Sequence, residues 1–258
     1  MSVAQGSLPQ QDDQEVPTLP ETARAVVFLD IDRTCLDTDR WLMAVAQYLA
    51  WHYPDHVVNP DEFVHDRRAF YQVSRASHEL PQYYTIGAQI AHCGLDLQRI
   101  LSELAVSDNA DGRLQYPGLA ELIQALRAQD YAVYTLTYGD DATQRLKVAM
   151  CPALRGVDCI TTRDRKSTDI ARCVRHWQRA GRRPASLYMV DDKPAIGRDM
   201  QQYNKVALTN YWPKVHFIQI DHRPTDEVQP PDGVDHHLSW PICHTLAEVK
   251  TIITQGAH

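Results

Sequence analysis

Asp30 and Asp32 stand two positions apart at the end of a short apolar run, Ala25-Val26-Val27-Phe28-Leu29, and Thr34 follows two positions later. Two carboxylates held that close repel each other. A divalent cation, which takes oxygen ligands, relieves the repulsion and leaves one carboxylate as a nucleophile. The plainer alternative is an acidic strand end turning into solvent, and a lone Asp-x-Asp would favour it. What decides between them is whether the rest of the chain brings partners to the same place.

The element that must position this pair is a buried strand: short, apolar throughout and led by β-branched valines. The aspartates then emerge at its carboxyl end, where open α/β sheets bind ligands. Further strands are expected at about 132–137, 157–161, 186–190 and 205–208, with 215–220 as another candidate. They alternate with helices expected at about 117–129, 140–150, 167–181 and 244–255. Strands alternating with helices imply an α/β fold, a doubly wound parallel sheet covered on both faces. Between 37 and 113 no strand is expected. Helical stretches fit about 39–53, 60–76, 80–92 and 95–106, with Asp39 as a cap for the first. That span is too long for a structureless loop. The expected organisation is therefore a tail at 1–22, an α/β core at 23–36 and 114–258, and an inserted helical unit at 37–113. The tail is rich in Gln, Pro, Asp and Ser, has no apolar period and reads as disordered.

Four strand ends in this scheme carry polar groups suited to phosphoryl transfer: Asp30, Asp32 and Thr34; Thr137, Tyr138 and Gly139; Lys166; and Asp191 with Asp192. In a parallel sheet they share one edge. In order and spacing they resemble the haloacid dehalogenase-like hydrolase superfamily. Asp30-Ile31-Asp32-Arg33-Thr34 matches its first motif, Thr137 the second, Lys166 the third and Asp191-Asp192 the fourth. The inserted helices match its helical cap type. The resemblance covers about 25–210 and the final helix.

What the resemblance implies is a Mg²⁺-dependent phosphatase acting on a small phosphorylated metabolite. Asp30 would be the nucleophile and Asp32 the general acid and base. Mg²⁺ would be held by Asp30, by Asp32 through its backbone carbonyl, and by Asp191, with Asp192 as a second carboxylate or the primary ligand in its place. Thr137 would bind a phosphoryl oxygen, and Lys166 would neutralise the nucleophile and the transferring group. The chain departs from the pattern at Arg33, where Gly is frequent, and at Tyr138, where Asn is common; either bulky side chain could narrow the site or touch substrate. Lys193 is a rival for the role of Lys166, and Asp199 a lesser candidate ligand. A phosphomutase, another reaction of the same superfamily, or a catalytically quiet binding protein are the alternatives. Asp32 argues against a dehalogenase, because halide leaves without a proton. The absence of lysine from 37–113 argues against a phosphonatase, which would want a cap lysine for a Schiff base.

Composition narrows the partners. The 258 residues carry 26 basic and 33 acidic side chains, a formal net charge of −7, with no basic block, so no nucleic-acid partner is expected. No apolar run approaches the roughly 20 residues that span a bilayer. Residues 1–22 lack the features of a secretory signal. The six scattered cysteines form no Cys-x-x-Cys pair and read as reduced thiols of a cytoplasmic protein. The oligomeric state has no signature in the sequence. Most aromatic residues of 37–113 read as a small helical core, Arg67, Arg68, Arg75 and His78 as a solvated face that could also meet an anion, and the histidines at 216, 222, 236, 237 and 244 as surface or loop residues.

Overall fold

The computed structural model describes residues 16–72, 83–106, 112–223 and 240–255. The chain enters the core with β1 (Ala25–Leu29), buried throughout. Next come α1 (Thr38–His52), α2 (Pro60–Asp66), a 3₁₀ turn at Arg67–Phe70, the two-residue strands β2 (Tyr71–Gln72) and β3 (Tyr83–Tyr84), α3 (Ile86–His92) and α4 (Leu97–Ala105). The core resumes with α5 (Leu119–Arg127), β4 (Tyr131–Tyr138), α6 (Asp141–Ala149), β5 (Asp158–Thr162), α7 (Lys166–Arg179), β6 (Ser186–Asp191), α8 (Pro194–Asn210), β7 (Val215–Ile220), β8 (Ile242–Cys243) and α9 (Leu246–Gln255).

Six strands form one sheet in the order β5-β4-β1-β6-β7-β8, every pairing parallel. Successive residues of β1 alternate between two apolar layers: Val27 and Leu29 pack with α1, α5 and α9, and Val26 and Phe28 with α7 and α8. This two-sided burial is why the strand reads as an unbroken apolar run rather than an alternating one. From β1 the chain steps outward to β4 and β5, then returns to the other side of β1 with β6, β7 and β8. The reversal falls between β1 and β6, the kind of switch point where open sheets bind ligands beyond their carboxyl ends. Leu29 pairs with Val190, so Asp30 and Asp191 leave the sheet side by side.

Several expectations are corrected. The strand expected at 205–208 is the last part of α8. Its buried positions Ile196, Met200, Tyr203 and Ala207 recur at three- and four-residue spacing, while Val206 and Leu208 face solvent. Three apolar residues in four positions there imitate a strand, and the sheet is completed by β7 and β8 instead. The span 37–113 does contain strand: Tyr71 pairs with Tyr84 and Gln72 with Tyr83. The helix expected at 60–76 ends at Asp66, and α1 is capped by Asp37, whose side chain accepts from Arg40 N, rather than by Asp39. Part of the presumed tail is anchored: Leu19 is buried, Pro17 O accepts from Trp177 Nε1 at 2.7 Å, and Thr18 O from Tyr134 Oη at 2.9 Å. Residues 1–15, Arg75, His78, the loop at 108–111, the Pro-rich stretch 224–231, His236 and His237 lie outside the described residues.

Candidate active site

Asp30, Lys166 and Asp191 meet in the core of the sheet edge. Lys166 opens α7, immediately after the β5 loop, and is 1% exposed. Its Nζ donates to Asp30 Oδ1 at 2.7 Å and to Asp191 Oδ2 at 2.6 Å. Burial depresses a lysine, but the two carboxylates outweigh it and hold this ammonium above its ordinary value. Asp191 also accepts from the backbone N of Lys193 at 2.9 Å. Of the two rival lysines, Lys166 makes the direct bonds. The Lys193 ammonium lies near Asp30, Asp191 and Asp192 and acts on all three through charge.

Asp192 joins the cluster: one oxygen each from Asp30, Asp191 and Asp192 lie within 4.8 Å of one another. Asp30 Oδ2 and Asp192 Oδ1 are buried with no hydrogen-bond partner among the described residues. Burial, opposed by Lys166 and reinforced by Asp191, holds the Asp30 carboxyl above the usual carboxylate range. Burial, with help from Asp191 and Asp30 and against Lys193, pushes Asp192 up to about 7. Partnerless buried carboxylate oxygens are costly, and an all-oxygen donor set of this kind fits a hard divalent cation. Asp199 is elsewhere: it accepts from Ser167 N and Oγ at 2.9 and 2.6 Å.

The carboxylate of Asp32 is not among the clustered oxygens. Lys147 Nζ donates to Asp32 Oδ1 at 2.7 Å and to Oδ2 at 2.8 Å, and Thr38 Oγ1 donates to Oδ1 at 2.8 Å. Burial pushes Asp32 up, but Lys147 together with Lys193 and Thr38 carries it below its usual value. Lys147 is the residue that sequence reasoning missed. It sits on α6 in a buried polar stripe with Thr143 and Gln144, at positions three and four residues apart. An inward-facing polar stripe on a helix that follows a site strand was the available signal.

Thr137 is buried at the end of β4, its hydroxyl 3.5 Å from Gln144 Oε1. Gly139 adopts φ +146, and a Cβ there would collide with the side-chain amide of Gln144. That amide donates to Tyr138 O at 2.9 Å, so α6 holds the β4 turn in place. The Tyr138 ring lies under the Lys166 ammonium, 5.4 Å from Nζ to the ring centre. The tyrosine therefore backs the lysine.

Arg33 has φ +57, and its guanidinium pairs with Asp39, which also accepts from Arg67 at 2.8 Å. His222 is not a plain surface residue. Its Nε2 donates to Thr34 O at 3.1 Å and its ring stacks on Tyr116 with centroids 3.5 Å apart.

Among solved structures, a haloacid dehalogenase-like hydrolase from Burkholderia xenovorans superposes with a TM-score of 0.56 at 16% identity, over 88% of this chain and 98% of that one. Two others align with lower scores. CbbY from Rhodobacter sphaeroides, in complex with phosphate, gives 0.47 at 13% identity over 88% and 96%. A phosphoserine phosphohydrolase-like protein from Francisella tularensis gives 0.45 at 13% over 90% and 99%. The first establishes the fold, that of haloacid dehalogenase-like hydrolases. No protein-family model and no curated protein matches the chain.

Proposed function

We propose that this chain, on its haloacid dehalogenase-like fold, is a Mg²⁺-dependent phosphatase of small phosphorylated metabolites that works through an aspartyl-phosphate on Asp30. The observation that carries the reading is the convergence of Lys166 on Asp30 and Asp191, with Asp192 completing a buried carboxylate cluster. Four carboxylates (Asp30, Asp32, Asp191, Asp192) face three ammonium groups (Lys147, Lys166, Lys193), a formal balance of −1. A divalent cation turns that to +1, which suits a dianionic phosphoryl group.

Asp30, Asp191 and Asp192 would hold the cation, with the resemblance adding the backbone carbonyl of Asp32. When bound, Mg²⁺ supplies charge neutralisation at phosphoryl oxygens. An oxygen of Asp30 bonds to phosphorus as the bond from phosphorus to the ester oxygen breaks. Lys166 donates to the carboxylate and offsets charge as it spreads onto the transferring group. The proton that the ester oxygen needs passes through Asp32. Water then attacks phosphorus, Asp32 takes its proton, and inorganic phosphate and free Asp30 are released. Thr137 offers its hydroxyl to a phosphoryl oxygen, while Tyr138 and Gly139 shape the turn beside it.

The helices of 37–113 serve as a cap that excludes water and selects substrate. Two links support this: Thr38, the first residue of α1, bonds Asp32, and Asp39 of α1 joins Arg33 of the core to Arg67 of the inserted segment. Six free cysteines fit a reducing, cytoplasmic setting. No helix among the described residues is long and apolar enough to cross a membrane. The test is a panel of phosphate esters assayed with Mg²⁺. The expected result is inorganic phosphate release from some members. Halide release from a 2-haloacid with no phosphate release from any ester would replace this reading with a dehalogenase.

A further inference from the structure

Lys147 is 3% exposed and buries an ammonium beneath the indole of Trp41, with Nζ 5.0 Å from the ring centre. Burying that charge is costly, and an apolar side chain at this position of α6 would pack on Trp41 without the penalty. The fold alone therefore does not call for a lysine. Its Nζ donates to both oxygens of one carboxylate, Asp32. A second ammonium, Lys193, also attracts Asp32, and it lies beside the metal-binding carboxylates. Two cations thus attract Asp32, and Lys147, with two hydrogen bonds and support from Thr38, fixes where it points.

We propose that Lys147 is the positioning residue for Asp32, holding its carboxylate toward the leaving-group oxygen and away from the carboxylate cluster. The inference rests on the phosphatase reading above. It assigns a role in proton transfer to a residue of α6 that need not touch substrate. Lys147 and Thr38 together occupy three of the roughly four lone-pair positions of the carboxylate. Little freedom is left to that carboxylate, so on this proposal the geometry of the proton transfer is set before substrate arrives.

The test is a double-mutant cycle between Lys147→Met and Asp32→Asn, measured on an alkyl and an aryl phosphate with Mg²⁺. Lys147→Met is expected to lower kcat on the alkyl ester by at least about tenfold with KM within about twofold, since the loss lies in proton transfer rather than binding. The aryl ester, whose leaving group needs less protonation, should lose less. Lys147→Arg keeps the charge but displaces the donors and should fall between Met and wild type. In the Asp32→Asn background, adding Lys147→Met should cost no further rate. Wild-type kcat in Lys147→Met overturns the proposal, and so does an equal fractional loss with and without Asp32. If the Met variant does not fold, Lys147→Arg is read alone: unchanged kcat on the alkyl ester overturns the proposal. A wild-type protein that hydrolyses no phosphate ester fails the phosphatase reading itself, a different result from an active enzyme indifferent to Lys147.

Discussion

The Nζ of Lys166 stands 2.7 Å from Oδ1 of Asp30, and the same ammonium bridges to Asp191 on the neighbouring strand. One cation therefore ties the carboxyl ends of β1 and β6 and counters the repulsion between their aspartates. Lys166→Met should act on stability and on turnover alike. Stripping the partner from two buried carboxylates costs on the order of 3–5 kcal/mol, read as a lower urea midpoint. Loss of transition-state charge stabilisation should lower kcat by about 10²–10³. Wild-type turnover in a folded Lys166→Met protein would remove this lysine from the chemistry.

Gly139 provides a backbone test. Its φ of +146 is a conformation that L side chains rarely adopt, and the space a Cβ needs is filled by the Gln144 amide that bonds Tyr138 O. Gly139→Ala should destabilise the protein by about 1–3 kcal/mol and shift the Thr137 turn, lowering kcat/KM by more than the stability loss explains. A variant with unchanged melting temperature and activity would show that the turn has room to spare.

The carboxylate cluster predicts a metal effect on the protein without substrate. Mg²⁺ should raise the melting temperature, because a ligand at about 100 times its Kd stabilises by roughly 2.7 kcal/mol. Asp192→Asn should remove most of that gain, since it replaces a carboxylate whose buried oxygen has no partner among the described residues. Calorimetric unfolding with and without Mg²⁺ checks both points. An equal gain in the variant would place the cation elsewhere.

His222 supplies a pH dependence. Burial pulls its imidazole below the ordinary value of 6.5, against the pull of its hydrogen bonds to Thr34 and His244. A histidine with a depressed folded value binds fewer protons folded than unfolded. Its contribution is therefore present above about 6.5 and is lost as pH falls through that value toward the folded one. The melting temperature of the wild type should drop between about pH 7.5 and 5.5, and His222→Gln should drop less. Equal slopes would exclude His222 as a source of the acid sensitivity.

Much of the site was legible because its residues sit where strands end. Asp30, Thr137 and Asp191 follow apolar runs, Lys166 opens the helix after β5, and a parallel sheet brings such ends together whatever their separation in sequence. The pairing of Lys147 with Asp32 was not legible. It depends on which face α6 turns inward, and polar residues on a buried stripe carry no apolar period. The misread strand at 205–208 has the opposite cause: a local cluster of apolar residues outweighed a longer helical period set by Met200, Tyr203 and Ala207. The contacts of His222, expected as a surface or loop residue, escape the sequence because its partners, Thr34 O and Tyr116, are distant in sequence and one is a backbone atom.

The central claim is that Asp30 attacks phosphorus. The direct measurement compares p-nitrophenyl phosphate hydrolysis with Mg²⁺ by the wild type and by Asp30→Asn, with folding of both followed by circular dichroism. The account predicts turnover by the wild type and a loss of about 10³-fold or more in a folded Asp30→Asn protein. Undiminished hydrolysis by that variant would contradict it.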